Sequence, residues 1–227
     1  LSQDLAMIQS SSEGLLQALE PYLSNPRLIS AVLLFAAVFV PLVEELLKPI
    51  GVWFLAGRKI TPAEGFSAGL LSGAGYAIFE SIAISSNLNQ DWLFVVVARS
   101  GTHVLHILTT ALSGWALAHA WGGRRYGRLL LTFLGVTLLH GAWNAVSLLA
   151  FFSEALAEGG SSLPAGPLAT LVDLSRVATP VVLVALAALA TILLLVMNRR
   201  LRGAPAESLP VEAEPLGVEN GVDPNAG

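Results

Sequence analysis

Long apolar runs separated by short polar segments dominate the chain and predict membrane-spanning helices. About 20 apolar residues are enough for a helix to cross the hydrocarbon core of a bilayer, and runs of that length recur from residue 28 onward. The pattern predicts five spans, at residues 28–56, 61–86, 92–121, 126–152 and 178–197. The predicted fold class is therefore all-α, a polytopic transmembrane helical bundle.

The two ends of the chain depart from this apolar pattern. Within residues 1–26, Leu5, Ile8, Leu15 and Leu19 recur at roughly helical spacing among acidic residues, which predicts an amphipathic helix at the membrane surface. From residue 203 onward proline and acidic residues follow no period and predict a disordered tail. The expected organisation is an amphipathic extracytoplasmic segment (1–26), a transmembrane domain (27–202) and a cytoplasmic tail (203–227).

Local signals refine the first two spans. Pro41 and Pro49 remove backbone donors inside the first run, so its helix should kink or break there. Thr61-Pro62-Ala63-Glu64 is a helix-start signal with proline in the first turn, and it places the start of the second span. The glycines of that span permit the close helix contact that small residues give in membranes. These glycines are Gly65, Gly69, Gly73 and Gly75.

Basic residues predict the orientation of the spans. Most of the 12 Lys and Arg residues fall on one side of a five-span alternation. The loops on the other side, around residues 87–91 and 154–163, have none. The positive-inside rule makes the basic side cytoplasmic, so the amino end lies outside the cell membrane and the carboxyl tail inside. The residues on the basic side are Arg58, Lys59, Arg124, Arg125, Arg128, Arg199, Arg200 and Arg202.

Composition narrows the function classes. The chain is 54% hydrophobic and 12% charged, with a net charge of −4, so we expect a lipid bilayer around it and no nucleic-acid partner. It has no cysteine. A disulfide framework, a thiolate metal site and a cysteine nucleophile are therefore excluded.

Three ionisable residues inside the first span require an explanation. A charge at bilayer depth costs about 2.5 to 3.5 kcal/mol on insertion scales, so such residues usually face a polar interior and have a function. On a helix, Lys48 lies one turn from both Glu44 and Glu45 and can pair with either carboxylate. A charge-neutralised structural pair is the alternative interpretation.

Further polar residues lie inside the next three spans. At about 1.5 Å per residue, Glu44, His106 and His140 each lie roughly 20 to 25 Å from a helix end, near mid-membrane. Burying polar faces against one another costs less than exposing them to lipid, so we expect a hydrated polar pocket within the bundle. The further polar residues are Glu80, Arg99, His103, His106, His140 and Asn144.

This set of side chains fits activation of water. A buried carboxylate can act as general base while a histidine orients the water or carries the proton. A second histidine and an asparagine can stabilise a developing oxyanion. The same glutamates and histidines also suit a zinc ion. No His-Glu-x-x-His is present, so both a zinc mechanism and a metal-free mechanism stay open.

Four motifs in order resemble the PrsW family of intramembrane proteases, which is distantly similar to the CAAX prenyl proteases and their bacteriocin-processing relatives. They lie between residues 41 and 145. The resemblance implies an intramembrane endopeptidase that cleaves a membrane-anchored anti-sigma factor, a single-span protein, on its extracytoplasmic side. The motifs are Glu44-Glu45-Leu46-Leu47-Lys48, Ala77-Ile78-Phe79-Glu80, Arg99 with His106, Thr109 and Gly114, and His140-Gly141-Ala142-Trp143-Asn144.

Candidate roles follow from these residues. We expect Glu44 and Glu45 both to be needed, with Glu44 the better candidate base. Asn144 is an oxyanion donor or, alternatively, a bridge between helices. The catalytic candidates are Glu44, Glu45, Glu80, His106, His140 and Asn144, with Lys48, Arg99 and His103 in support. In the zinc mechanism the ligands come from Glu44, Glu45, Glu80, His106 and His140.

Two other function classes fit part of the pattern. Intramembrane Glu, His and Arg also form proton relays in transporters, but the sequence shows no internal repeat and no paired broken helices in matching halves. A non-catalytic scaffold that binds a membrane partner is the third class. Cleavage of a membrane substrate in detergent would separate the protease from both.

Overall fold

The computed structural model describes residues 24–85, 92–160 and 162–202, together with residue 22. Within these ranges the chain forms helices and connecting turns with no strand, which confirms the predicted all-α bundle. The predicted tail at residues 203–227, and all but the last few residues of the predicted amphipathic segment 1–26, lie outside the described residues.

The first run is a broken helix rather than a regular one. It consists of α1 (Pro26–Leu34), a π-helical turn (Phe35–Phe39), α2 (Val40–Leu47) and α3 (Ile50–Trp53), which together are called span one. The side chain of Asn25 caps α1 by accepting from the backbone N–H of Arg27 at 3.1 Å.

Both prolines of span one accompany an irregularity, as predicted. Pro41 lies in the first turn of α2 and cannot donate to the carbonyl four residues earlier, and the widened π-helical turn ends just before it. Pro49 separates α2 from α3. Ser72 of the next helix bridges this break, since its hydroxyl donates to the Lys48 carbonyl at 2.6 Å and accepts from the Gly51 N–H at 3.2 Å.

Over residues 62–202, apart from the gaps named above, four long helices follow span one: α4 (Pro62–Ser85), α5 (Trp92–Gly123), α6 (Tyr126–Glu158) and α7 (Pro167–Arg202). A reciprocal capping box confirms the predicted start of α4, because the Glu64 carboxylate accepts from the Thr61 N–H at 2.7 Å and the Glu64 N–H donates to Thr61 Oγ1 at 3.2 Å. The helices α6 and α7 extend beyond the predicted spans. The spans are predicted from apolar runs, so the polar ends of these helices are not included in them.

Four helical stretches of the described chain are long and apolar enough to cross a membrane. They are Pro26–Trp53, Pro62–Ile84, Tyr126–Glu158 and Pro167–Arg202. The helix α5 is not among them, although it spans 32 residues. It carries Arg99, His103 and His106 within its length. Its centre is buried by the other helices, with Leu105, His106 and Leu108 each fully enclosed.

The contact between α4 and α5 is the most extensive among the described helices, and glycines make it possible. A Cβ atom added at Gly65, Gly69 or Gly73 would collide with the backbone of α5. At Gly73 the obstructing atoms include the His106 carbonyl oxygen, at 2.7 Å. The prediction of close packing is confirmed for these three glycines, whereas Gly75 has open space beside it.

The helix α6 packs against the π-helical turn of span one at an equally short distance. A Cβ atom at Gly141 would collide with the Ala37 carbonyl oxygen, so only glycine fits there. One turn further along α6, the Asn144 amide donates to the Ala36 carbonyl at 3.0 Å. A π-helical turn leaves carbonyl oxygens without their usual helical donor, and Asn144 supplies one. These contacts set the depth at which His140 faces span one.

Candidate active site

The Lys48 ammonium lies at the centre of the polar groups that the helices bring together. Its Nζ is 2.8 Å from Glu45 Oε1, 3.1 Å from Glu44 Oε2, 2.8 Å from His106 Nδ1 and 3.2 Å from His140 Nδ1. The Lys48 side chain is fully buried. The predicted one-turn pairing of Lys48 with both glutamates is present, and two histidines from α5 and α6 complete the surroundings.

Glu45 anchors the deepest part of the site. Its Oε1 accepts from Lys48 Nζ and from the Thr109 hydroxyl, at 3.1 Å, and it lies 2.9 Å from His140 Nδ1. His140 Nδ1 lies closer to the Glu45 carboxylate than to the Lys48 ammonium, at 2.9 against 3.2 Å, so we assign the ring proton to Nδ1, which then donates to Glu45. His140 Nε2 then faces Glu44 Oε2, at 3.7 Å.

His106 contacts Lys48 with one ring nitrogen and Glu80 with the other. Its Nε2 lies 2.9 Å from Glu80 Oε2 and its Nδ1 accepts from Lys48. A histidine that donates to a carboxylate from one nitrogen presents the lone pair of the other. His106 and His140 thus share one arrangement, in which each ring gives an N–H to a glutamate and turns its other nitrogen toward the Lys48 and Glu44 side of the site.

We call Glu45, Lys48, Thr109 and His140 the inner cluster. Glu80 belongs to a second group, the outer cluster of Glu80, Ser81, Arg99 and His103. Arg99 Nη2 pairs with Glu80 Oε2 at 2.5 Å, and Arg99 Nε donates to Ser81 Oγ at 3.2 Å. Ser81 Oγ lies 2.6 Å from His103 Nε2. His106 connects the two clusters.

The predicted site residues therefore divide by position. Glu44, Glu45, Lys48, His106 and His140 surround one point, Glu80 and Arg99 lie behind His106, and His103 bonds Ser81. The hydrogen bond of Asn144 goes to the backbone of span one, which is the bridging contact named as its alternative. Its role as an oxyanion donor stays a prediction.

Three groups could hold a metal ion together. Ligand atoms of Glu44, His106 and His140 lie within 4.8 Å of one another, and each comes from a different helix. Glu44 Oε2 is buried and makes no hydrogen bond, and its partner is the Lys48 ammonium at 3.1 Å. One carboxylate and two imidazoles are ligands that zinc accepts. Since Glu45 and Glu80 orient the two rings as carboxylates do around bound metals, the residues present fit a metal ion.

The side chains of the site differ in their exposure. The Glu44, Glu80 and Arg99 side chains are 21%, 25% and 17% exposed, whereas those of Glu45 and Lys48 are fully buried. Polar access is therefore on the Glu80 side. Toward the Arg58 end of the bundle, an apolar cavity of about 270 Å³ adjoins Glu45. Its other lining residues include Trp53, Ser113, Leu117, Tyr126 and Phe133.

Three supporting residues are not among the predicted site residues, although Thr109 belongs to the third motif. Tyr76 places its ring 4.8 Å from Lys48 Nζ, Thr109 donates to Glu45, and Ser72 bridges the backbone break after Lys48. Tyr76 lies one helical turn before Glu80, and Thr109 one turn after His106. Shared helix faces are the signal that could have found these two.

Comparison with known proteins identifies the family of this chain. A family model described as PrsW family intramembrane metalloprotease matches residues 6–172, more than half of the 227-residue chain, and includes every site residue named above. This match confirms the resemblance predicted from the four motifs. No curated protein and no solved structure matches the chain.

Proposed function

Because the chain belongs to the PrsW family of intramembrane metalloproteases, we propose that it hydrolyses a peptide bond of a single-span membrane protein near the outer face of the cell membrane. The protein is a peptide hydrolase that acts on a membrane-embedded substrate. The motif resemblance supports a substrate of the anti-sigma-factor type. The observation that carries the proposal is the convergence of Glu44, His106 and His140 from three helices.

We propose that these three side chains hold a zinc ion, with Glu45 and Glu80 fixing the two imidazoles. Such an ion supplies Lewis acidity, which activates water and polarises the scissile carbonyl. Glu45 holds the Nδ1 proton of His140, and Glu80 holds the Nε2 proton of His106. Both rings are thereby kept in one tautomer and one orientation before substrate arrives.

The remaining protein groups handle charge and protons. Glu44 is the partly exposed member of the glutamate pair, so it is the carboxylate that can meet water and substrate. Glu45 Oε2 is buried without a hydrogen-bond partner and can accept a proton released within the site. Arg99 forms an ion pair with Glu80 and balances its charge behind His106.

The proposed cleavage side follows from access and orientation. The partly exposed groups Glu80 and Arg99 lie toward the end of α4 opposite the basic residues Arg58 and Lys59. The positive-inside rule assigns those basic residues to the cytoplasm, with the amino end outside and the carboxyl end inside. Substrates are therefore cut near the outer membrane face.

The test is proteolysis of co-purified single-span proteins by the full chain in detergent. Wild type and Glu154→Gln, which changes an exposed glutamate of α6, should cleave, and Glu44→Gln should not. Mass spectrometry of the new terminus should locate the cut in the outer part of the substrate's span. A cut on the cytoplasmic side would contradict the orientation. Full activity of protein shown by elemental analysis to be metal-free would contradict the zinc proposal and favour the metal-free mechanism.

A further inference from the structure

Lys48 is a buried lysine, and its burial requires an explanation. The chain has two lysines, Lys48 and Lys59. Lys59 is exposed at the end of span one, whereas the Lys48 side chain is fully buried among ionisable groups. A buried ammonium is costly unless all its hydrogen bonds are made. Here Glu45 and His106 accept hydrogen bonds from the ammonium, and Glu44 forms an ion pair with it.

Two of these three partners are candidate metal ligands. Lys48 Nζ lies 2.8 Å from His106 Nδ1 and 3.1 Å from Glu44 Oε2. A nitrogen lone pair that accepts an N–H cannot coordinate a metal at the same time. Two cations this close also repel each other strongly where the surroundings have a low dielectric constant.

We propose that Lys48 is the internal counter-ion of this site and that its ammonium must leave Glu44 and His106 before a metal ion can bind there. The inference rests on the proposed metal site. In the metal-free protein Lys48 holds the ligands together by neutralising two adjacent carboxylates. Metal loading exchanges one cation for another, which weakens the affinity of the site for metal.

The structure provides a second position for the displaced ammonium. Glu45 Oε1 already accepts from Lys48, and the other oxygen, Glu45 Oε2, is buried without a hydrogen-bond partner. The Tyr76 ring lies 4.8 Å from the ammonium and attracts it through its π-face. A small movement toward Glu45 would release Glu44 and His106 while keeping Lys48 paired. Lys48 is therefore a positioning residue for the ligand set.

The test measures metal affinity rather than cleavage. Wild type, Lys48→Met and Lys59→Met are purified as full chains in detergent, stripped of metal and titrated with zinc against a chromophoric chelator. Lys48→Met keeps the length of the side chain and removes its charge. It should bind zinc about tenfold tighter, as expected if the ammonium leaves the ligands free in about a tenth of the molecules. Lys59→Met should match wild type.

Stability provides a second readout that does not depend on activity. Without zinc, Lys48→Met should unfold at a lower temperature than wild type, because two carboxylates lose their counter-ion. Saturating zinc should raise its unfolding temperature more than that of wild type. If Lys48→Met does not fold without metal, Glu45→Gln and the double variant Lys48→Met/Glu45→Gln are compared, since the double change removes both buried charges. The double variant should bind zinc more tightly than Glu45→Gln alone.

The outcomes separate this inference from the function proposed above. Equal or weaker zinc binding by Lys48→Met, with wild type binding zinc and Glu44→Gln binding it poorly, would overturn the role of Lys48 and leave the metal site standing. If wild type itself bound no zinc, or if Glu44→Gln bound it as well as wild type, the proposed metal site would fail and this inference with it.

Discussion

The inner and outer clusters meet at His106, yet they differ in exposure and in the number of their partners. In the inner cluster the Lys48 and Glu45 side chains are fully buried, and each makes several polar contacts. In the outer cluster Glu80 and Arg99 form a partly exposed pair. The same types of charged residue therefore serve two purposes. The inner set holds helices in place, and the outer set orients one ring from a partly exposed position.

This difference has an energetic basis. A buried ion pair gains little over an apolar pair of the same shape, but removing one partner leaves an uncompensated charge that costs about 3–5 kcal/mol. A pair in contact with water is screened and relaxes when one partner is lost, at a cost of about 0–1 kcal/mol. Substitutions in the inner cluster should thus affect folding, and those in the outer cluster mainly function.

The largest effect is expected at Glu44, which contacts Lys48 and His140 of the inner cluster and is itself partly exposed. Glu44→Gln removes a proposed zinc ligand, so it should lower the cleavage rate by more than the about 10- to 100-fold typical of losing a residue that only orients a ligand. Its 21% exposure should leave the unfolding temperature nearly unchanged. Initial rates on one substrate and thermal unfolding in detergent check this, with Glu154→Gln as the control. Normal cleavage by both Glu44→Gln and Glu45→Gln would rule out the site.

Glu45→Gln tests the inner cluster directly. Lys48 would lose the closer of its two carboxylates and His140 the acceptor for its Nδ1 proton. We expect the free energy of unfolding to fall by about 3–5 kcal/mol, together with loss of cleavage. The measurement is the unfolding midpoint of Glu45→Gln beside that of Glu44→Gln. Equal midpoints for the two variants would show that exposure does not distinguish the neighbouring glutamates.

Glu80→Gln tests the outer cluster. His106 would lose the carboxylate that orients it, and loss of such a partner typically lowers metal affinity or activity by about 10- to 100-fold. Stability should change little because the Glu80 side chain is 25% exposed. Zinc affinity, measured by titration, and the cleavage rate should both decrease. A large drop in stability without a change in zinc affinity would place Glu80 among the structural residues.

The close packing of α4 against α5, which positions His106, can be tested by substituting glycines of α4. Gly73→Ala would push a Cβ against the His106 carbonyl oxygen, and overpacking of this kind costs about 1–3 kcal/mol. Gly75→Ala is the matched control on the same helix, because its Cβ would meet open space and alanine favours a helix over glycine. Unfolding temperatures of the two variants, measured side by side, check the contrast. Equal effects would contradict the close contact of α4 with α5.

The smallest combined effect on cleavage and stability is expected at Asn144, which lies outside both clusters. Asn144→Ala removes the bond to the Ala36 carbonyl, and interhelical hydrogen bonds in membranes average about 0.6 kcal/mol. If Asn144 only bridges α6 to span one, the cleavage rate should follow this small loss. A fall of about 100-fold or more at nearly unchanged stability would instead assign it the oxyanion role. Cleavage rate and unfolding temperature are measured on the same preparation.

The sequence by itself determined the features that depend on neighbours along the chain. The break at Pro49, the capping box of Thr61 and Glu64, and the pairing of Lys48 with two glutamates one turn away all follow from helix geometry and backbone chemistry. The motif order was enough to indicate the family, because each motif lies on one helix. The polar residues could also be placed near mid-membrane by counting residues along each span.

Only the tertiary structure decided how those helices face one another. Which nitrogen of His106 and His140 turns toward Glu44, which glutamates stand behind the rings, and where Asn144 donates all depend on the rotation and depth of neighbouring helices. Contacts at single atoms set these quantities, such as Gly73 against the His106 carbonyl and Gly141 against the Ala37 carbonyl. Such contacts join residues far apart in the chain, so local periodicity carries no information about them.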